Sequence, residues 1–147
     1  GIVSVIFFIL TIFFLNKANA LWRIKQWWHA FSQPKFIPPT RQINLLNEWQ
    51  IIEGRVNKGD EANIKLAIIE ADRLFDDLLK KIGYFGDDMG ARLKQISREQ
   101  IPNIDDIWNA HKIRNQIAHQ ANYHVSQSDA KRAVLAYEKA FKQLDVL

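Results

Sequence analysis

Residues 111–119 read His-Lys-Ile-Arg-Asn-Gln-Ile-Ala-His, which places two histidines and an arginine within nine positions. Arginine is cationic at any working pH, and its planar fork of donors fits phosphate oxygens. An imidazole titrates near neutrality and can take or give a proton in a reaction. Arg114 as phosphate binder and His119 as acid/base, with Asn115 beside them, are therefore candidate catalytic residues. Groups of these types can drive an RNA 2′-hydroxyl against the adjacent phosphate without a metal. His111 and Lys112 are candidate substrate-binding groups. His111, Asn115 and His119 also share a stripe at i, i+4 and i+8. No carboxylate accompanies them at a recognised ligand spacing, so neither a metal nor another cofactor is expected.

The same residues have a purely structural alternative. On a helical wheel, Ile104, Ile107, Trp108, Ala110, Ile117, Ala118 and Ala121 form a broad apolar arc. Arg114, His111 and Asn115 fall inside it, and His119 lies at its edge. A guanidinium turned towards a core has to be paired, because an uncompensated buried charge costs several kcal/mol. Glu70 and Asp72, beside the apolar arc of the preceding long helix, are the candidate partners. In that case Asn115 bonds a backbone group, the histidines are satisfied polar core residues, and the motif only holds the bundle or a dimer together.

Arg114-Asn115-Gln116-Ile117-Ala118-His119 resembles the HEPN-domain pattern: Arg, four to six residues, then His, with a polar residue directly after the Arg. The resemblance covers residues 41–147 and implies an all-α bundle with the motif in a late helix followed by one more. Many HEPN proteins are metal-independent endoribonucleases that dimerise, so that two motifs form one composite cleft. Carried over, His119 is the acid/base, Arg114 holds phosphate, and Asn115 orients the motif or the substrate. His111 and Lys112 match no family position. HEPN toxins silenced by nucleotidylation have Tyr two residues after the motif His. Ala121 stands there in this chain, so that modification is not carried over. Other HEPN-like domains are non-catalytic helical interaction modules, which is the alternative function here.

The elements that position the motif are helical. No stretch after Pro39 alternates with period two, whereas helical periodicity recurs four or five times. Thr40 is placed to cap a first helix carrying Leu45, Leu46, Trp49, Ile52 and Val56. Residues 57–60, Asn-Lys-Gly-Asp, form a turn. A second helix is expected over 61–82, with an apolar arc running from Ile64 to Ile82 and Gly83 as its C-terminal cap. Asp88 suits the start of a short helix over 89–97. Pro102 resets the chain, and Asn103 followed by Asp106 suits the start of the motif helix, which extends to about Gln120. A last helix begins near Ser128 and buries Ala130, Ala133, Val134, Tyr137, Phe141 and Leu144. Short connections favour antiparallel neighbours. The expected architecture is an antiparallel four/five-helix HEPN-like bundle over 41–147, preceded by an N-terminal transmembrane or interfacial helix.

That N-terminal arm accounts for the charge. The chain has 147 residues and a formal net charge of +4. Residues 1–40 contain Lys17, Arg23, Lys25 and Lys35 and no acid, so the whole excess lies there and the remainder is neutral. Residues 2–15 are apolar apart from Ser4 and Thr11, and shorter than the ~20 residues of a full span. They are read as the end of a truncated transmembrane helix over 1–16. Leu21, Ile24, Trp27, Trp28 and Phe31 share one face of a following interfacial helix, with bases beside anionic lipid. Residues 17–40 thus form a basic, aromatic juxtamembrane segment and a Pro-rich linker. Bases on this side of the run place the bundle in the cytoplasm, on a single-pass chain held to lipid through residues 1–31. Ala18-Asn19-Ala20 also has the form of a signal-peptidase site, the competing reading. The absence of Cys excludes disulfides, thiolate zinc sites and thiol nucleophiles. A homodimer through the bundle, with RNA as a possible substrate, completes the expectation.

Overall fold

The computed structural model describes residues 39–147, with side chains from residue 44 onward. The expected membrane helix, juxtamembrane segment and lipid contact fall on residues 1–38 and lie outside the described residues. Among those described, no helix is long and apolar enough to cross a membrane.

The described residues form an all-α bundle: α1 (Pro39–Lys58), α2 (Glu61–Ile82), α3 (Met89–Leu93), α4 (Ile104–His119) and α5 (Gln127–Gln143). α1 already includes Pro39, whose fixed φ and missing N–H suit a first helical turn, so Thr40 lies within the helix and not at the capping position expected of it. The link to α2 turns at Gly59, with φ of +77°, a region that Gly occupies without a steric penalty. Asp60 then caps α2, its carboxylate accepting the Asn63 N–H at 3.0 Å. α2 ends on Gly83 at φ +102°, whose N–H reaches back to the Leu79 and Lys80 carbonyls.

α2 is the central element, packing against α1, α4 and α5. Its arc of Ile64, Ala67, Ile68, Ala71, Leu74, Phe75, Leu78 and Leu79 is buried, as the spacing predicts. Phe75 sits in an aromatic cluster, with ring centroids 5.6 Å from Tyr137 and 5.5 Å from Phe141. Trp49 of α1 closes the cluster against Phe141 at 5.4 Å, edge-on. α1 buries Trp49, Ile52 and Val56, but Leu46 is exposed, because the contact with α2 is made by the later turns. α5 is capped by Ser126, whose hydroxyl accepts the Asp129 N–H at 3.0 Å. Leu144 is only half-buried, and Ala136 and Ala140 fill the core beside Tyr137 and Phe141 instead.

One element departs from the expected outline, and the start of another is built differently from a side-chain cap. α3 ends at Leu93, shorter than the 89–97 expected, and the chain makes three short turns before α4. Asn103 stands at the start of α4 but makes no side-chain cap. Its Nδ2 donates instead to the Ala136 carbonyl at 2.8 Å, which ties the head of α4 to α5.

Candidate functional site

The first half of α4 belongs to the core. Ile104, Ile107 and Ala110 are buried against α2 and α5. The second half is different: Ile113 and Ile117 are half-buried, and Ala118 and Ala121 are exposed. The apolar arc expected to run the length of this helix is therefore covered only along its first turns. Polar side chains take over where the hydrophobic cover ends.

Asp72 organises them. It lies on α2 between Ala71 and Phe75, within the buried face, and is only 3% exposed. A carboxylate there needs donors, because burying the charge alone costs several kcal/mol. Asp72 Oδ1 accepts from His111 Nδ1 at 2.7 Å and from the Tyr137 hydroxyl at 2.7 Å. Burial and then the adjacent Asp72 charge push the Tyr137 phenol well above its ordinary range, so it remains a donor. Asp72 Oδ2 faces Arg114 Nε at 3.4 Å. This is a charge contact without hydrogen-bond geometry, and the buried Nε–H has no acceptor among the described residues.

The chain of contacts continues along α4. His111 Nε2 lies 3.1 Å from Asn115 Nδ2, and Arg114 Nη1 donates to Asn115 Oδ1 at 3.1 Å. Assigning donors leaves one consistent pattern. The amide NH₂ can only donate, so His111 Nε2 accepts, and the imidazole proton sits on Nδ1, pointing at Asp72. Trp108 supports the ring edge-on, with centroids 6.2 Å apart. Asp72 was thus correctly placed among the partner candidates for Arg114. The other candidate, Glu70, is taken by Arg55 at 2.8 Å. Asn115 bonds two side chains rather than the backbone group expected of it.

Asp72, His111, Arg114 and Asn115 line a cleft of about 800 Å³ between α2, α3 and α4, and His119 lies on the same wall. Arg114 is anchored at its base while its side chain is 36% exposed. His119 is the last residue of α4, exposed, with no side-chain hydrogen bond or ion pair among the described residues. Lys112 is exposed and does not line the cleft. The cleft is also lined by Asp76 and Lys80 of α2 and by Asp88, Arg92 and Lys94 in and around α3. Arg92 is buried and paired: Nε and Nη2 grip Asp76 at 2.6 and 3.1 Å, and Nη1 donates to the Gly86 carbonyl. Lys80 also reaches Asp76, at 2.7 Å. Lys94 is exposed and makes no ion pair among the described residues. Arg73, which also lines the cleft, pairs with Glu48 and Asp77, so among the described residues Lys94 is the lining Lys or Arg without an ion pair, and Arg114 keeps donors beyond its bond to Asn115. Among the described residues, no group of three or more His, Asp or Glu is arranged to hold a metal ion.

The structure brings together Arg114, Asn115, His111 and His119 and leaves Lys112 apart. Asp72 and Tyr137 are the site residues that the motif alone did not reveal. Asp72 had a signal: it falls four residues after Ile68 and three before Phe75, so a helical wheel puts an acid inside the apolar face of α2. Fold and site together define an all-helical bundle with an anchored Arg and a free His on one cleft wall. Comparison with family models, curated proteins and solved structures gives no match to this chain.

Proposed function

We propose that the bundle is a HEPN-type, metal-independent endoribonuclease domain that works as a homodimer. The observation carrying this reading is that Arg114 and His119 line one cleft, Arg114 with donors to spare and His119 with no side-chain partner among the described residues. Both Nη2 protons and the second Nη1 proton of Arg114 are uncommitted among the described residues. In the reaction, a neutral His119 takes the proton of an RNA 2′-hydroxyl. The freed oxygen bonds to the adjacent phosphorus, and the bond from phosphorus to the 5′-oxygen breaks. The departing oxygen receives a proton from the imidazolium of the second copy's motif. The products are a 2′,3′-cyclic phosphate and a 5′-hydroxyl. Arg114 neutralises charge on the phosphoryl oxygens as it builds up. The uncovered apolar residues Ile113, Ile117 and Ala118 beside the motif suit contact with that second copy. Residues 1–31 would hold the domain to an anionic membrane surface, with the bundle in the cytoplasm.

The test is cleavage of a single-stranded RNA oligonucleotide in EDTA by the wild-type chain, His119→Ala and Arg114→Ala, with sedimentation to give the oligomeric state. The reading requires cleavage by wild type and its loss in both variants while they remain folded. Equal RNA stability with wild type and His119→Ala would sink it.

The second reading is a non-catalytic, membrane-anchored interaction module. It is favoured by one observation: His111, Asn115 and the inner part of Arg114 all find partners within the same chain. Loss of folding in Arg114→Ala, with no effect of any kind in His119→Ala, is its signature.

A further inference from the structure

We infer that Asp72, His111 and Asn115 are positioning residues, a hydrogen-bonded relay that fixes the guanidinium of Arg114 against the cleft wall. The catalytic consequence rests on the ribonuclease reading above; the structural half does not.

Arg114 alone is poorly held. Its Nε–H makes no hydrogen bond among the described residues, and its charge partner there, Asp72 Oδ2, is 3.4 Å away. Only the bond from Nη1 to Asn115 Oδ1 sets the plane of the fork. Asn115 can offer that oxygen only while its NH₂ faces the other way, and what holds it there is an acceptor, His111 Nε2, at 3.1 Å. His111 Nε2 is an acceptor only while the proton occupies Nδ1, and Asp72 Oδ1 at 2.7 Å holds the proton there. Asp72 is fixed in turn by Tyr137 from α5. Each link determines the donor or acceptor sense of the next. If the imidazole carried its proton on Nε2, the Asn115 amide would have to turn over. Its NH₂ would then meet Arg114 Nη1, donor against donor. The Arg114 bond therefore depends on a group that Arg114 does not touch.

This separates His111 from a residue that merely fills space. His111 is largely buried, with its side chain 11% exposed, and both its ring nitrogens are engaged, by Asp72 and by Asn115. Its effect passes through Asn115. A glutamine at this position also carries one donor and one acceptor and can keep the sense of the relay; a leucine keeps the bulk and removes both.

The experiment uses the folded chain with ¹⁵N labelling. In wild type, the His111 ring nitrogens should report the Nδ1–H tautomer, and the Arg114 Nε–H should give a resolved, slowly exchanging signal. In His111→Leu that Arg114 signal should broaden or move to the position of a free arginine, and in His111→Gln it should persist. Added inorganic phosphate should shift the Arg114 signal in wild type and His111→Gln and bind several-fold more weakly to His111→Leu. Where RNA is cleaved, His111→Leu should lose about 10²-fold in kcat, the scale of a misplaced reacting group, and His111→Gln should recover most of it. An unchanged Arg114 signal in folded His111→Leu, or an Nε2–H tautomer in wild type, overturns the relay. A wild-type chain that shows the Arg114 effects but cuts no RNA overturns the ribonuclease reading and leaves the relay standing.

Discussion

Asp72 and His111 meet through a single oxygen: the imidazole Nδ1 donates to Asp72 Oδ1 at 2.7 Å, and that oxygen also accepts the Tyr137 hydroxyl at the same distance. The other oxygen is left to Arg114 at 3.4 Å. The carboxylate thus joins α2, α4 and α5 at one point. It directs its best hydrogen bonds to neutral donors and holds the cation by charge. That division leaves Arg114 with donors to offer a ligand while its base stays in place.

Replacing Asp72 should therefore be costly in a way the surface acids are not. Asp72→Ala strands His111, Tyr137 and Arg114 together, and the expected loss is about 3–5 kcal/mol, the range for breaking a buried charge pair by removing one partner. Equilibrium urea unfolding measures it. A loss under about 1 kcal/mol would mean that water replaces the carboxylate and that the site is wetter than its geometry implies.

Tyr137→Phe tests the same carboxylate from α5. The ring stays in the aromatic cluster with Phe75, so packing is preserved and only a donor disappears. The expected cost is about 1–3 kcal/mol, because Asp72 Oδ1 keeps His111 but loses half its hydrogen bonding. If Asp72→Ala and Tyr137→Phe act through one contact, the double variant should cost clearly less than the sum of the two. Additive effects would show that the Tyr137 hydroxyl contributes independently of Asp72.

Gly83 gives a backbone test away from the cleft. At φ +102° it holds the turn that closes α2, and its N–H bonds the Leu79 and Lys80 carbonyls. Gly83→Ala places a Cβ in a region L-residues rarely adopt. It should destabilise by roughly 1 kcal/mol or more, where an exposed Ala would otherwise be neutral or helpful. A rise in melting temperature would exclude a left-handed cap in solution.

These contrasts show which parts of the molecule the sequence made readable. The α2 stripe and the caps at Gly83 and Asp88 are local: periodicity and one residue per end define them, and they are found as expected, whereas the cap at Asp60 falls in a stretch read only as a turn. The extent of the α4 face was not local. Ala118 and Ala121 continue the apolar spacing, yet no helix covers them among the described residues, and a helical wheel cannot see where a neighbour stops. Asn103 does stand at the helix start, but what its side chain does there was not local either. Its amide can cap its own helix or reach Ala136 on α5, and tertiary approach decided for the latter. At the site, the Arg–His spacing marked Arg114 and His119, but the tie to Tyr137 runs across 65 positions of sequence and emerges only from packing.

Asp76 supplies a pH dependence with a definite sign. Desolvation pushes its carboxyl up, but the hydrogen bonds and charges of Arg92 and Lys80 outweigh it, and the net shift is downward. Its folded pKa thus lies below the unfolded value, which for aspartate is about 3.9. A group shifted in this direction contributes stability that is complete above the unfolded value and is lost as pH falls through the folded one. Asp76→Asn removes that contribution and leaves Arg92, 6% exposed, without its charge partner. Urea midpoints should therefore show wild type well above Asp76→Asn at neutral pH, with the gap closing below about pH 4 as the wild-type carboxyl takes up its proton. A gap that stays constant from pH 7 down to pH 3 would mean that the Asp76–Arg92 pair is held by hydrogen-bond geometry, with no contribution from the charge.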